Sequence, residues 1–167
     1  VYVDIDPVAV EHGRAILREY PNLAYVQGDL RQPAQILGHD QVQSLLDLNQ
    51  PVALVLSATM AYVTDDEVAY SAVRTLRDAM APGSYIVLLH ASFHIAPPHV
   101  IERLSKLYGS ASQSRARTYD ELLKFFAGFE LVEPGLVGIT SWRPEERDEV
   151  SRYTLGLIGV GHLPAAG

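Results

Sequence analysis

At 167 residues, the chain has the length of one domain and could bury about two thirds of its unfolded surface. A net charge of −7 opposes binding to phosphate backbones and anionic membranes, so neither nucleic acid nor a membrane is an expected partner. The absence of cysteine excludes disulfides, thiolate nucleophiles and Cys-based zinc sites. No stretch reaches the roughly 18 apolar residues that span a bilayer, and we therefore expect one cytoplasmic domain over residues 1–167.

The first six residues, VYVDID, predict an apolar strand that ends in acid. Asp6 is a suitable helix N-cap, and Pro7 suits the first turn of the helix that follows. In open α/β sheets, ligands bind beyond the carboxyl ends of parallel strands, where an acid can accept hydrogen bonds from a ribose diol. Asp4 is therefore a candidate nucleoside-binding carboxylate. The alternative is that Asp4 and Asp6 only cap the turn between strand and helix.

The strand and helix order then repeats. Residues 23–26 predict a short strand that delivers Asp29 at its carboxyl end. Pro33 opens a helical pattern, and residues 38–40 interrupt it, so two short helices are expected.

A continuous apolar run over residues 51–56 is typical of a parallel strand that is buried on both faces, and we place it near the centre of the sheet. A loop follows at its carboxyl end. Thr64 and Glu67 then have the spacing of a capping box and predict a helix that runs to about Met80.

The next buried strand is expected over residues 84–89, with His90 and His94 in the loop after it. Residues 109–117 are small and polar and are interpreted as a surface loop, with a mobile lid as the alternative. Thr118 opens a second capping box. Further strands are expected over residues 129–132, 136–139 and 153–160. This alternation predicts an α/β fold with a helix-covered, mainly parallel sheet.

At this point the sequence resembles a class I S-adenosylmethionine-dependent methyltransferase, and more narrowly a bacterial methyltransferase family first catalogued as a domain of unknown function. The resemblance covers nearly the whole chain. It rests on the order and spacing of VYVDIDPVAV, VQGDLRQPAQIL, PVALVLSATMAYV, APGSYIVLLHAS, FFAGFELVEPGLV with SWRP, and GVGHLP. It implies a Rossmann-like, doubly wound sheet with an antiparallel C-terminal strand, and S-adenosyl-L-methionine as cofactor.

The resemblance implies contacts to the adenosine end of that cofactor at four residues. Asp4 would bind the ribose hydroxyls, with Ile5 against the adenine face. Asp29 would accept from the adenine amino group, with Leu30 beside the ring. The chemistry is suitable, because a carboxylate oxygen is the acceptor that hydroxyl and amino groups need. For Asp29 the alternative is a cap on the helix that begins near Pro33.

At the methionine end, the resemblance implies that Ser57 and Ala58 lie under the cofactor, close to the transferable methyl group. Tyr62 is a candidate for the same rim. The family also has a first strand ending in a glycine-rich turn, and no G-x-G-x-x-G occurs in this sequence. In the implied fold that strand lies between the strands that begin at Val1 and Val52, so we expect an upstream segment to supply it.

Catalytic candidates are fewer, because methyl transfer depends mainly on positioning and desolvation and needs a base only for some acceptors. His90 and His94 are the best-placed bases, with Tyr62 as a weaker candidate, although a structural role is favoured for each histidine. A metal site formed by His90, His94 and His99 is disfavoured, because these residues are not on one helix. A hydrolase triad at Ser57 is disfavoured by the lack of a G-x-S-x-G elbow.

Three functional hypotheses follow: a methyltransferase for a small-molecule acceptor, a nucleotide-binding oxidoreductase on a related Rossmann sheet, and a non-catalytic cofactor-binding protein on the methyltransferase scaffold. The acceptor and the oligomeric state, including a homo-oligomer, are left open by the sequence.

Overall fold

The computed structural model describes residues 1–92, 97–100, 102–103, 114–144 and 155–165. The chain divides into two compact units. The first consists of residues 1–50 and 65–81, and the second is drawn from residues 51–64 and 82–167. Among the described helices, none is long and apolar enough to cross a membrane.

In the first unit, two short parallel strands pair, β1 (Tyr2–Asp4) and β2 (Tyr25–Gln27), with Asp4 opposite Gln27. Four helices belong to this unit: α1 (Pro7–Leu17), α2 (Pro33–Leu37), α3 (Asp40–Leu45) and α4 (Asp66–Asp78). The predicted pair of short helices is therefore confirmed.

Helix capping follows the sequence at one position and departs from it at another. Asp6 caps α1 as predicted, with its Oδ1 accepting the Val8 N–H at 2.8 Å. The predicted Thr64 cap of α4 is wrong, because the N-cap is Asp65, whose Oδ1 accepts the Val68 N–H at 3.1 Å. Asp65 directly precedes the first helical residue and so reaches the third amide of the helix, whereas Thr64 lies one residue too early.

Close packing of α1 on β2 depends on Gly13. A Cβ at this position would overlap the Tyr25 ring, so only glycine leaves room for it. The Tyr25 ring in turn stacks on Tyr2, with ring centroids 5.7 Å apart. An apolar cluster of Ala24, Val26 and Val42 completes the packing of this unit.

The second unit contains a five-stranded mixed sheet in the order β3-β4-β7-β5, with β6 also paired to β7. Its described strands are β3 (Ala53–Ser57), β4 (Tyr85–Ala91), β5 (Glu130–Leu131), β6 (Val137–Gly138) and β7 (Gly156–His162). Residues 98–100 and 102–103 are helical, and a further helix, α5, spans Tyr119–Leu123. The β3 and β4 pair is parallel, and β7 is antiparallel to its neighbours. The Rossmann-like class with an antiparallel C-terminal strand is thus confirmed.

Strand β3 differs from its prediction. It was expected to be buried on both faces at the centre of the sheet, yet exposed and covered residues alternate along it, and Val55 is 62% exposed. Among the described strands, β3 pairs only with β4 and therefore lies at the edge of the five-stranded sheet. Within β3 only Leu56 is buried. Successive side chains of a strand point to opposite faces, so covering one face of β3 leaves every second residue exposed.

Strand β4 is longer than predicted. It continues to Ala91 because β7 pairs along its whole length, from Tyr85 opposite His162 to Ala91 opposite Gly156. His90 therefore lies within the strand, and the prediction that it follows the strand is wrong. The last strand, predicted over residues 153–160, is observed from Gly156 to His162, while residues 153 and 154 lie outside the described residues.

A tight contact in β7 predicts the effect of one added methyl group. A Cβ at Gly161 would lie 2.8 Å from the Phe129 Cβ and 3.0 Å from the Ile86 Cγ2. Because the Phe129 Cβ is attached directly to the backbone, Gly161→Ala should lower the free energy of unfolding by about 1–3 kcal/mol. Equilibrium unfolding in urea measures this change in free energy. The control Gly38→Ala, where φ is −82° and the nearest atom is 3.3 Å away, should change stability by no more than about 0.5 kcal/mol.

Candidate functional site

The carboxyl ends of β1 and β2 present a carboxylate beside an exposed apolar side chain. Asp4 is half-buried, and its Oδ1 accepts the Asp6 N–H at 3.0 Å. Within the described parts of the chain, no donor bonds its Oδ2. Ile5 is 54% exposed, and the Gln27 side chain donates to its carbonyl at 3.3 Å. This arrangement fits a nucleoside, because Asp4 retains acceptor capacity for hydroxyl groups and Ile5 offers an uncovered apolar face.

Asp29 is engaged by Arg31. The Arg31 Nε lies 2.9 Å from both carboxylate oxygens, its Nη2 lies 2.6 Å from Oδ2, and its backbone N–H donates to Oδ1 at 2.9 Å. The hydrogen bonds from the Arg31 side chain lower the pKa of Asp29 below its ordinary value. Asp29 is thus held as an oriented carboxylate, and an adenine amino group would have to share it with Arg31.

Gly28 allows the chain before Asp29 to lie close to β1. The sequence analysis assigned no role to Gly28. Its N–H donates to the Asp4 carbonyl at 2.9 Å. A Cβ at Gly28 would lie 2.8 Å from Ile36 and 2.9 Å from Val3. The signal in the sequence is a glycine directly before the acid at a strand end, where close backbone approach is a common reason for glycine.

In the second unit, Ser57 ends β3 and Ala58 follows it, and both residues are exposed. Ala58 has φ 60° and ψ −2°, a left-handed conformation that is uncommon for alanine, and its N–H donates to the Leu89 carbonyl at 2.8 Å. A 3-10 turn follows over Thr59–Tyr62. Met60 is buried, whereas the Tyr62 ring is 69% exposed and available to a ligand.

His90 is 1% exposed, and both ring nitrogens have partners within the protein. Its Nδ1 lies 2.8 Å from the Ala91 carbonyl, which can only accept, so we assign the hydrogen to Nδ1. Its Nε2, 2.9 Å from the Arg117 Nη1, therefore accepts from Arg117. Burial lowers the pKa of His90 below its ordinary value, and the Arg117 charge acts in the same direction.

Arg117 was missed by sequence reasoning. It was included in a segment interpreted as a surface loop, yet its side chain is 1% exposed. Its Nη1 donates to the Met60 carbonyl at 2.8 Å, its Nη2 donates to the Val63 carbonyl at 2.6 Å, and its guanidinium lies 5.3 Å from the Phe125 ring centroid. Nothing in its small, polar sequence neighbourhood signals this burial.

The candidate residues are divided between the units. The first unit holds Asp4, Ile5, Asp29 and Leu30, and the second holds Ser57, Ala58, Tyr62 and His90. His94 lies outside the described residues, and so do residues 109–113 of the predicted loop. Among the residues that the structure describes, no group of three side chains could hold a metal ion.

The pKa of His90 predicts a pH dependence of stability. In the unfolded chain this histidine titrates near 6.5, and in the folded chain it titrates lower. As the pH falls below about 6.5, the unfolded state takes up the proton first, so this contribution to stability is present above pH 6.5 and is lost on acidification. The free energy of unfolding should therefore fall between pH 7.5 and 5.5, and His90→Asn should reduce that slope.

The control for this measurement is His12→Asn, at an exposed histidine on α1. The fall in its free energy of unfolding between pH 7.5 and 5.5 should match that of the unmodified chain. Equal slopes in all three proteins would show that His90 does not carry the pH dependence.

Comparison with known proteins assigns the chain to a family. The family model described as S-adenosyl methyltransferase matches residues 1–164. A solved DUF574 family protein from Streptomyces avermitilis is 32% identical, with a TM-score of 0.86, and the match covers 98% of this chain and 64% of that one. A solved methyltransferase from Thermobifida fusca, described as putative, is 36% identical, with a TM-score of 0.85 and coverage of 98% and 62%.

This chain therefore spans less than two thirds of the length of those two proteins. The N-methyltransferase NodS of Bradyrhizobium japonicum, solved in complex with S-adenosyl-L-homocysteine, is 13% identical, with a TM-score of 0.59 and coverage of 97% of this chain and 65% of that one. That similarity concerns the fold alone. No curated protein matches the sequence. Because the family model extends over almost every residue, the chain belongs to the S-adenosyl methyltransferase family.

Proposed function

We propose that this protein is a cytoplasmic S-adenosylmethionine-dependent methyltransferase that acts on a small-molecule acceptor. The observation that carries the proposal is the family match over residues 1–164. It is supported by Asp4, a carboxylate at the carboxyl end of a parallel strand, whose Oδ2 receives no hydrogen bond from the described residues. The acidic net charge of −7 favours small acceptors over polyanions.

In this proposal, the first unit binds the adenosine end of the cofactor. Asp4 accepts hydrogen bonds from the ribose hydroxyls, and Ile5 covers one face of adenine. Asp29 accepts from the adenine amino group, with Leu30 beside the ring. The Arg31 side chain is 57% exposed, so solvent screens its pair with Asp29 and one of its hydrogen bonds can be exchanged for a ligand.

For the transfer itself, bound S-adenosylmethionine would supply a methyl group on a sulfonium. The acceptor nucleophile would bond to the methyl carbon in line as the carbon–sulfur bond breaks and S-adenosylhomocysteine leaves. Ser57 and Ala58 line the methionine end, and Tyr62 contributes an exposed ring to the rim. This chain acts mainly by holding the reactants in line and excluding water.

His90 is not proposed as the base. Both of its nitrogens are bonded within the protein, and accepting a proton would place a second positive charge against Arg117. His94 and Tyr62 stay as candidate bases for an acceptor that must lose a proton.

The proposal is tested by calorimetric titration of the natural protein carrying this sequence with S-adenosylhomocysteine, and separately with NAD. We expect saturable binding of the first ligand. Asp4→Ala should weaken it by about 10- to 100-fold, because it removes charge-assisted hydrogen bonds of about 1.5–3 kcal/mol.

Asp47→Ala is the matched control. Asp47 is exposed, and its Oδ1 accepts the N–H two residues ahead at 3.0 Å, which is the same local bond that Asp4 makes. This variant should bind like the unmodified protein. Equal weakening by both variants would contradict the role of Asp4.

Two results would overturn the wider proposal. Binding of NAD instead of S-adenosylhomocysteine would favour an oxidoreductase, which none of the comparisons supports. Binding without formation of S-adenosylhomocysteine from S-adenosylmethionine across a broad panel of small-molecule acceptors would favour a non-catalytic cofactor-binding protein.

A further inference from the structure

The turn after β3 is held from outside by residues 115–117. The Arg115 backbone N–H donates to the Ala61 carbonyl at 2.8 Å. The Arg117 side chain donates to the Met60 carbonyl at 2.8 Å and to the Val63 carbonyl at 2.6 Å. Three carbonyls within four consecutive residues are thus bound by one short segment that lies more than fifty positions later in the chain.

These carbonyls need donors from elsewhere because the turn is short. The last carbonyls of a helix have no following turn to bond, and the bonds at this turn are long, at 3.3 Å from Ala61 N to Ala58 O and from Val63 N to Met60 O. The Met60 carbonyl thus has one long bond at the turn and a shorter one from Arg117. A guanidinium at the carboxyl end of the turn offers several donors in a planar arrangement and a favourable charge. Arg117 therefore replaces the hydrogen bonds that a longer helix would make.

Arg117 is itself fixed to the sheet. Its Nη1 donates to His90 Nε2 at 2.9 Å, its backbone N–H donates to the Ala91 carbonyl at 3.2 Å, and its guanidinium lies over Phe125. His90 lies within β4 and is oriented by its own bond to the Ala91 carbonyl. Arg117 therefore links the turn to β4, the strand that pairs with both β3 and β7.

Ala58 shows why such fixing is needed. A non-glycine residue at φ 60° is strained and persists only where neighbouring contacts determine it. On one side, its N–H is bonded to the Leu89 carbonyl, and on the other side, the turn that Arg117 holds begins at Thr59.

We propose that Arg117 is a positioning residue for the methionine end of the cofactor site, which it serves by fixing the turn Thr59–Tyr62 against β4. It thereby holds the Ser57 and Ala58 backbone and the exposed Tyr62 ring in place. The expected effect on cofactor binding rests on the proposed function, whereas the contacts of Arg117 with the turn do not.

The test compares Arg117→Met with Arg143→Met in the natural protein. Arg143 is a matched control, because it also donates to a backbone carbonyl, that of Glu133 at 2.8 Å, and lies 5.6 Å from the Trp142 ring. Hydrogen exchange followed by mass spectrometry reports the protection of residues 58–63. Arg117→Met should raise exchange there at least tenfold relative to β4 and weaken S-adenosylhomocysteine binding about tenfold, whereas Arg143→Met should change neither.

Two further measurements separate positioning from general destabilisation. Arg117→Lys keeps the charge and some of the hydrogen-bond donors, so its hydrogen exchange and its binding should lie between those of Arg117→Met and the unmodified protein. It replaces Arg117→Met in the test if that variant does not fold. Added methylguanidinium should restore part of the S-adenosylhomocysteine binding that Arg117→Met loses. It should have no effect on Arg143→Met. Sodium chloride is used to match the ionic strength of the samples without methylguanidinium.

Normal protection of residues 58–63 in folded Arg117→Met would overturn the inference, as would a uniform rise in exchange along the chain with no rescue. If Arg117→Lys behaves like the unmodified protein in both measurements, the specific geometry of the guanidinium is not required and the inference also fails. Failure of the unmodified protein to bind S-adenosylhomocysteine would contradict the proposed function instead, while the exchange measurement would still decide whether Arg117 fixes the turn.

Discussion

Backbone carbonyls at the ends of short elements need hydrogen-bond donors, and side chains supply them in both units. In the first unit, Arg14 donates to the Tyr25 carbonyl and Gln27 donates to the Ile5 carbonyl. In the second unit, Arg117 donates to two carbonyls of the turn after β3. Short strands and turns cannot satisfy these groups internally. Of these ends, Ile5 and the turn after β3 belong to the candidate site, and both depend on a long polar side chain from elsewhere in the chain.

Most features set by neighbouring residues were predicted from the sequence. Asp6 before Pro7, the break at Gly38 and the capping box of Thr118 with Glu121 all appear as expected, the last with both of its hydrogen bonds, whereas the Thr64 cap was placed one residue too early. Each depends on residues that lie within a few positions along the chain. The placement of candidate acids at strand ends follows from the same local reasoning.

Features set by distant partners were not predicted. The apolar run of β3 taken alone predicts burial on both faces, and only the resemblance, which places a strand absent from this sequence beside β3, indicates that this edge lacks a neighbour. The end of β4 depends on how far β7 extends. The burial of Arg117 depends on carbonyls more than fifty residues away. The pair of Arg31 with Asp29 was also not predicted, although the two residues lie only two positions apart.

The Phe126 ring lies across two glycines of β7, close to where the Cβ atoms of both Gly159 and Gly161 would be. These glycines are two residues apart and so face the same side of the strand. The two positions nevertheless differ in how they could be enlarged. At Gly159 the nearest atom is the end of the Phe126 ring, so a shorter residue at 126 would open space for a Cβ there, whereas at Gly161 the Phe129 Cβ, which is attached to the backbone, would still block it.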